Sequence, residues 1–365
     1  MPGRVAPTPL PCRNAARSSP GPGDQAMTTR RTILQGAALV AAPGLLRAQG
    51  AAREIRMVEA GGLSGDSIEV GYVRPFTART GIRVVRENPN QLGKLRAMVE
   101  SRSVTAVLFE LGSLSTAIAQ AAGMIEPLDW AAIAPDPMFD EARLPHAFGY
   151  QYYSTLMAWR ADAKPLRSWA DFWNAREFPG KRTLPDNFTL ALPMALLADG
   201  VAPDKLYPLD LNRAFRSLER IKGSVAVWWA AGAQPPQLLK DNEVQYAASY
   251  SGRVAGQAGI GLTYAQGLLD LSYFVVPKGA SPAEKAAAMG LLHEMSVAAN
   301  QAKAAEVISY TGASPQLDAL LPQAKLGEFP TTRENKAVQV LGNPAWWAQN
   351  RDAVERRWQE FKLGL

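Results

Sequence analysis

Two neighbouring tryptophans, Trp228 and Trp229, end a short apolar segment, VAVWW, that is typical of a β-strand. Successive side chains of a strand face opposite sides of its sheet, so both indoles cannot enter one core from one face. Aromatic faces bind ammonium groups by cation–π contact and stack on sugars and bases. We predict that Trp229 faces a ligand cleft and that Trp228 packs inside. The alternative is that both cover the sheet as core residues.

Two further predicted strands end in small polar segments that offer backbone N–H groups. These segments are GGLSG at 61–65 and ELGSLST at 110–116. The first lacks the GxGxxG spacing of a dinucleotide site, and the chain contains no GxxxxGK[ST] phosphate loop. Both segments are therefore predicted to present backbone donors to a cleft, with no nucleotide bound.

The residues that usually carry catalysis are scarce. His146 and His293 are the only histidines, and Cys12 is the only cysteine. HExxH and GxSxG motifs are absent from the sequence. We therefore predict that the protein is not an enzyme and has no metal site and no cofactor. Paired carboxylates in a cleft leave an exported hydrolase as an alternative.

The N-terminal segment TTRRTILQGAALVAAPGLLRAQG has the pattern of an export signal. Arg30 and Arg31 precede an apolar stretch from Ile33 to Leu46, and small residues end at Ala48, so residues 27–48 resemble a twin-arginine signal cleaved near Ala48. The apolar stretch is too short to span a bilayer. We interpret residues 1–26 as a misassigned start or a disordered leader, and we expect a periplasmic protein.

The positive charge of the chain is concentrated at its N-terminus. The formal charge of the whole chain is +6, but residues 1–48 hold six arginines and one aspartate, so the remainder has 33 basic and 32 acidic residues. Nucleic acid is therefore not expected as a partner.

From residue 53 onward, strand and helix patterns alternate. EIRMVEA, GIRVVREN and TAVLFEL read as strands, and IEVGYVRPFTART, QLGKLRAMVES and SLSTAIAQAAG read as helices, with GGLSGDS as a turn. This alternation predicts an α/β fold with a mainly parallel sheet between helices. Such sheets bind ligands at the carboxyl ends of their strands.

Six segments resemble polyamine-type (spermidine/putrescine) substrate-binding proteins of ABC transporters, which belong to the type II periplasmic-binding-protein superfamily. The resemblance extends over residues 53–361 and rests on these segments: PFTARTGIRVV, AAGMIEPLD, SWADFWNAREFPGKRTLPD, VWWAAGAQPPQLLKDNEVQYAASYSGR, YFVVPKGASPAEKAAAMGLL and PAWWAQNRDAVERRW. It implies a monomer that binds a small solute between two lobes and delivers it to membrane permease subunits.

The resemblance also implies the division of the chain. Lobe 1 comprises residues 53–157 and 273–315, and lobe 2 comprises 158–272 and 316–365. The chain crosses a hinge near Tyr153–Trp159 and again near Ser272–Val276. Closure of such a hinge on a ligand is a shift between open and closed populations.

The family's cleft positions fall on residues of both lobes. In lobe 1 they are Gly62, Ser64, Ser113 and Ser115. In lobe 2 they are Asp186, Asn187, Trp229, Gln234, Tyr250, Ser251 and Arg253, with Asp270 as the expected partner of an ammonium group. Each has a structural alternative: Asp186 and Asn187 also suit a turn, Ser113 a helix cap, and Arg253 a surface ion pair.

The resemblance favours a putrescine- or spermidine-like amine as the solute. Two departures leave other solutes open. The loop at Asp186 lacks a second acid before FTLALP, and Arg253 would repel a cation if it faced the cleft. The alternatives are a carboxylate-bearing solute, an anion, or an iron chelate held by the Tyr152–Tyr153 pair.

Overall fold

The computed structural model describes residues 52–364, which form alternating strands and helices. The predicted leader and export signal lie outside this range. The elements of the first half are β1 (Glu54–Val58), α1 (Gly62–Ile68), α2 (Arg74–Thr80), β2 (Arg83–Glu87), α3 (Leu92–Glu100), β3 (Leu108–Gly112), α4 (Ser113–Ala121), β4 (Ile125–Glu126), α5 (Trp130–Ile133), β5 (Arg143–Leu144) and β6 (Ala147–Arg160). A π-helical turn at Glu69–Val73 joins α1 to α2.

The second half continues the alternation and ends in a long helix. Its elements are α6 (Trp169–Trp173), β7 (Arg182–Pro185), α7 (Phe188–Ala198), α8 (Leu211–Ile221), β8 (Val225–Trp229), α9 (Gln234–Lys240), β9 (Tyr246–Tyr250), α10 (Ser251–Val254), β10 (Ile260–Pro277), α11 (Pro282–Ser296), α12 (Ala298–Ala305), α13 (Arg333–Ala337), β11 (Val340–Leu341) and α14 (Pro344–Lys362).

A continuous sheet connects the two lobes. The strand order is β2-β1-β3-β10-β6-β9-β7-β8. The outer pairs β1–β2, β1–β3, β7–β8 and β7–β9 are parallel, whereas β10 runs antiparallel to β3 and β6, and β6 runs antiparallel to β9. The two long central strands therefore run from one lobe into the other, and each lobe adds parallel strands on its own side.

The apolar residues divide between the lobes in the same way. One core holds Met157 and Trp169 and is closed by Trp358 of α14. A second core holds Ile55 and Phe148, and a third holds Val58 and Leu271. The structure thus confirms the two-lobed α/β fold, while the exact lobe boundaries stay a prediction.

The segment GGLSGDS was wrongly predicted as a turn, because α1 begins at Gly62. Gly61, with a φ of 79°, starts the helix, and the Ser67 hydroxyl donates to the Ser64 carbonyl at 2.7 Å. A Cβ at Gly65 would lie 2.7 Å from a carboxylate oxygen of Glu59. Gly65 therefore leaves room for the carboxylate of Glu59, the residue after β1.

The first half of β10 was also missed. Residues 260–271 include several polar residues and a backbone irregularity, with Gln266 at a φ of 57° and a register shift between Thr263 and Leu268. An interrupted strand lacks the regular alternation by which strands are recognised. Among residues 52–364, no helix is both long enough and apolar enough to cross a membrane.

Candidate functional site

The ends of β1 and β3 in lobe 1 and of β9 in lobe 2 surround a cavity of about 340 Å³. We call it the arginine cavity. The middle of β6 and of β10 contributes its floor through Gln151, Tyr153 and Ser272. The parallel strands point their carboxyl ends at this cavity, as expected for a sheet of this type.

Arg253 is the basic residue that lines the arginine cavity. It lies on α10, the single helical turn that follows β9 directly, and is half-buried. Within residues 52–364, no carboxylate oxygen lies within 4.0 Å of its guanidinium. A partly desolvated guanidinium is a fork of donors that suits a carboxylate. The predicted alternative, an ion pair at the surface, is not formed with any carboxylate of the described residues.

Three tyrosines form an aromatic wall of the same cavity. The rings of Tyr250 and Tyr310 lie 5.9 Å and 5.8 Å from the ring of Tyr153. All three rings line the cavity. Burial raises the pKa of each phenol, so all three are neutral hydroxyls near pH 7. The wall therefore offers aromatic faces and neutral donors to a solute.

Glu110 is the acidic residue that lines the arginine cavity. It occupies the third position of β3 and is only 2% exposed. The Ala60 backbone N–H donates to its Oε2 at 2.7 Å, and the Tyr150 hydroxyl donates to its Oε1 at 2.8 Å. Burial nevertheless raises the pKa of Glu110 to about 7. This carboxyl thus changes its charge near neutral pH.

A second buried acid fixes the loop beside Glu110. The Gly61 backbone N–H donates to the Glu59 carboxylate, which also forms an ion pair with Arg86 at 3.2 Å. Farther along, the Ser64 hydroxyl donates to Gln151 Oε1 at 2.8 Å and lines the cavity. The lobe 1 side of the cavity is therefore held in one shape by buried hydrogen bonds.

A second cavity of about 500 Å³ lies farther along the cleft and shares Gly112 with the first. We call it the aspartate cavity. Its lining includes Ser113, Ser115, Asp186, Asn187 and Asp270. The predicted site residues thus divide between two cavities: Ser64, Tyr250 and Arg253 line the first, and these five line the second.

Asp270 reaches the aspartate cavity from β10. Its carboxylate accepts the Tyr153 hydroxyl at 2.9 Å and the Leu271 N–H at 2.8 Å. Burial raises its pKa, and hydrogen bonds from Ser113, Leu271 and Tyr153 counteract this. In the described chain it has no basic partner within 4.0 Å.

Asp186 and Asn187 already have partners in the protein. Trp358 Nε1–H and Lys362 Nζ of α14 donate to the Asp186 carboxylate at 3.1 Å and 3.2 Å. Asn187 Oδ1 caps α7 by accepting the Thr189 N–H at 2.9 Å. These contacts fit the alternative prediction, in which Asp186 and Asn187 have a structural role in a turn. Both residues nevertheless line the aspartate cavity.

Trp229 does not face a cavity. It is 3% exposed, its Nε1–H donates to the Ala248 carbonyl at 2.9 Å, and its ring packs edge-on against Tyr250 at 5.3 Å. Trp228 packs against Trp358 and Phe361 of α14. The alternation argument separated the two indoles correctly but wrongly placed Trp229 at a cleft, because Trp229 packs against Tyr250 while Trp228 packs against α14.

Three other predicted contacts also lie away from both cavities. Gln234 Oε1 accepts the backbone N–H groups of Ala230 and Ala231, each at 2.9 Å, and so fixes the loop before α9. Ser251 is fully buried and accepts the Ser154 N–H. Gly62 begins α1, while its neighbour Gly61 lines the arginine cavity.

Sequence reasoning missed Glu110, Gln151, Tyr310 and Ser272. Glu110 carried a usable signal, because an acid at the carboxyl end of a buried parallel strand faces the ligand edge of the sheet. Tyr310 carried none, because it lies between helices in a segment without strand or helix periodicity. Within the described range, no cluster of three His, Cys, Asp or Glu side chains could hold a metal ion.

The chain matches the family profile of bacterial extracellular solute-binding proteins over residues 71–331. It is 32% identical to the gamma-aminobutyric acid-binding protein of Pseudomonas aeruginosa over 327 residues. This match covers 86% of this chain and 92% of that protein. An ABC transporter substrate-binding protein from Bradyrhizobium japonicum is 32% identical, with a TM-score of 0.79 over 84% of this chain and 99% of that one.

Two further solved structures are similar to this chain. The Atu4243–GABA receptor is 31% identical, with a TM-score of 0.77 over 84% of this chain and 97% of its own. The spermidine/putrescine-binding protein PotD of Streptococcus pneumoniae is 14% identical, with a TM-score of 0.69 over 85% of this chain and 99% of its own. The predicted resemblance to polyamine-type proteins is thus confirmed for the fold, and it does not settle the solute.

Proposed function

The chain belongs to the family of bacterial extracellular solute-binding proteins, and from this premise we propose that it is the periplasmic component of an ABC importer for a small amino acid with separated charges. Gamma-aminobutyric acid is the first candidate. The protein captures the solute in the arginine cavity and delivers it to permease subunits in the membrane.

Arg253 is the observation that carries this proposal. A half-buried guanidinium without a described carboxylate partner attracts an anion and repels a polyamine. Arg253 belongs to lobe 2, so a solute carboxylate bound to it would lie between the two lobes. Lobe 1 could then contact the same solute when the lobes close. Binding energy is then available to stabilise the closed state.

The size of the cavity is consistent with a solute of this class. A volume of about 340 Å³ lies at the lower end of the range for small-molecule sites. The aromatic wall of Tyr153, Tyr250 and Tyr310 covers an aliphatic chain, and Ser64 and Ser272 supply hydroxyls.

An amine is the second candidate for the solute, and the environment of Asp270 favours it. Its half-buried carboxylate has no basic partner among residues 52–364 and lines the larger cavity. A diamine bound there would be independent of Arg253. Because the known relatives bind solutes, we propose no catalytic role for these carboxylates.

A thermal-shift and calorimetry screen of the purified protein tests the proposal. The probes are gamma-aminobutyrate, butyrate, putrescine, inorganic phosphate and ferric citrate. At a free concentration 100 times its Kd, a ligand adds about 2.7 kcal/mol to the free energy of unfolding. Stabilisation by gamma-aminobutyrate supports the proposal, and stabilisation by putrescine alone replaces it with the amine candidate.

A further inference from the structure

Glu110 is the ionisable residue that lines the arginine cavity on its lobe 1 side. Arg253 lines the same cavity on its lobe 2 side. From this pairing we infer that Glu110 binds the ammonium end of the solute and gives up a proton when the solute binds. The inference rests on the proposed function and names the residue that selects an amino acid over a plain carboxylate.

The surroundings of Glu110 favour its neutral form when the cavity is empty, so that about half of the molecules hold this proton at pH 7. It is 2% exposed, and in the described residues no basic group lies within 4.0 Å of it. The buried Glu59 carboxylate, directly after β1, is its charged neighbour and raises the pKa of Glu110 further. Burial without a counter-charge favours the protonated carboxyl.

The other groups packed around Glu110 do not supply a positive charge. Tyr150 of β6 and Tyr72 of the π-helical turn are buried phenols whose pKa values burial raises. Ser272 of β10 supplies a hydroxyl hydrogen bond. Arg86 of β2 is paired with Glu59 and donates to the Gly65 carbonyl. The remaining cation, Arg253, is the proposed partner of the solute's own carboxylate.

A bound ammonium supplies the missing counter-charge. The proton leaves the Glu110 carboxyl for solvent, and the carboxylate accepts an N–H of the ammonium group. The Ala60 N–H and Tyr150 hydroxyl continue to donate to the same oxygens, so the loop at Ala60–Ser64 keeps its position. One solute therefore supplies a counter-charge to Arg253 on one lobe and to the newly ionised Glu110 on the other.

With a pKa of about 7 in the empty site, the proton release has a defined pH dependence. Calorimetry in buffers of different ionisation enthalpy should show release of about 0.9 proton per gamma-aminobutyrate at pH 6 and about 0.1 at pH 8. The apparent Kd should be about tenfold weaker at pH 6 than at pH 8. Butyrate, which lacks the amine, should bind without releasing a proton.

The variant Glu110→Gln removes the titrating group and keeps the shape of the side chain. We expect it to bind gamma-aminobutyrate weakly, with no proton release and no change in affinity between pH 6 and pH 8. The matched control is Glu294→Gln, which alters a buried acid of α11 that pairs with Arg79 and lines neither cavity, and it should retain proton release. Infrared difference spectra of the unaltered protein provide a second readout: a protonated carboxyl band should vanish on binding at pH 6.

The outcomes separate the role of Glu110 from the proposed function. Binding of gamma-aminobutyrate without proton release at pH 6, or equal release by the Glu110→Gln variant, overturns the role of Glu110 and leaves the proposed function intact. Failure of gamma-aminobutyrate to bind at pH 8 overturns both. Equal proton release with butyrate shows that the ammonium group is not the trigger and also overturns the inference.

Discussion

The hydroxyl of Tyr153 donates a hydrogen bond to the carboxylate of Asp270 at 2.9 Å, and this bond joins the two cavities of the cleft. The ring of Tyr153 lines the arginine cavity, while Asp270 lines the aspartate cavity. The two residues lie on β6 and β10, where they are paired in the register of the two strands that cross between the lobes. The bond therefore ties the walls of both cavities to these two long strands.

Tyr153→Phe should weaken this connection without changing the arginine cavity greatly. A partly buried hydrogen bond to a carboxyl group is lost, so the free energy of unfolding should fall by about 1–2 kcal/mol. Thermal unfolding would show a midpoint lower by about 2–4 °C. An unchanged midpoint would mean that the hydroxyl does not stabilise Asp270.

Asp270→Asn and Asp186→Asn distinguish the two cavities. Both residues line the aspartate cavity, so each variant should bind gamma-aminobutyrate with a Kd within about threefold of the unaltered protein. Isothermal titration calorimetry measures this directly. A loss of more than about tenfold in either variant would place the solute in the aspartate cavity.

Trp229→Ala should destabilise the protein by about 3–5 kcal/mol, because a buried indole leaves a cavity. Trp229→Phe is the matched variant: it keeps an aromatic ring against Tyr250 and loses the hydrogen bond to Ala248, so it should cost less. Urea unfolding compares the two. A stable Trp229→Ala protein with lost binding would restore the prediction that this indole contacts the solute.

The contribution of Glu110 to the stability of the empty protein should decrease as the pH rises from about 4.5 to 7. Burial raises the pKa of Glu110 from its ordinary value of 4.5 to about 7, so the folded state holds a proton that the unfolded state has already released. The free energy of unfolding therefore falls with rising pH, by up to about 3 kcal/mol at 1.4 kcal/mol per pKa unit. Glu110→Gln should flatten this part of the stability curve, and an unaltered slope would contradict the assignment.

The fold followed from local patterns that the structure confirms, because each early strand and helix of lobe 1 carries its own periodicity. The strands EIRMV and LFELG and the helix SLSTAIAQA were placed correctly. The first half of β10 was not, because its pairing depends on β6, more than 100 residues earlier in the chain, and its polar residues hide the strand.

The site was predicted only in part, for a different reason. The sequence indicates which residues follow each strand, so Ser64, Tyr250 and Arg253 were placed near a cleft and do line the arginine cavity. It does not indicate which polar atoms the protein itself satisfies. Gln234 and Ser251 have suitable chemistry, but their hydrogen bonds hold the backbone and are not directed at a cavity.

The affinity of Arg253→Gln for gamma-aminobutyrate tests the central claim most directly. Loss of a charge-assisted, partly desolvated contact should weaken binding by about 10- to 100-fold, with thermal stability unchanged. Arg351→Gln is the matched control, because Arg351 lines the aspartate cavity and forms an ion pair with Glu355. Calorimetry at pH 8 should show weak binding by Arg253→Gln and ordinary binding by Arg351→Gln. Ordinary binding by Arg253→Gln would contradict the account.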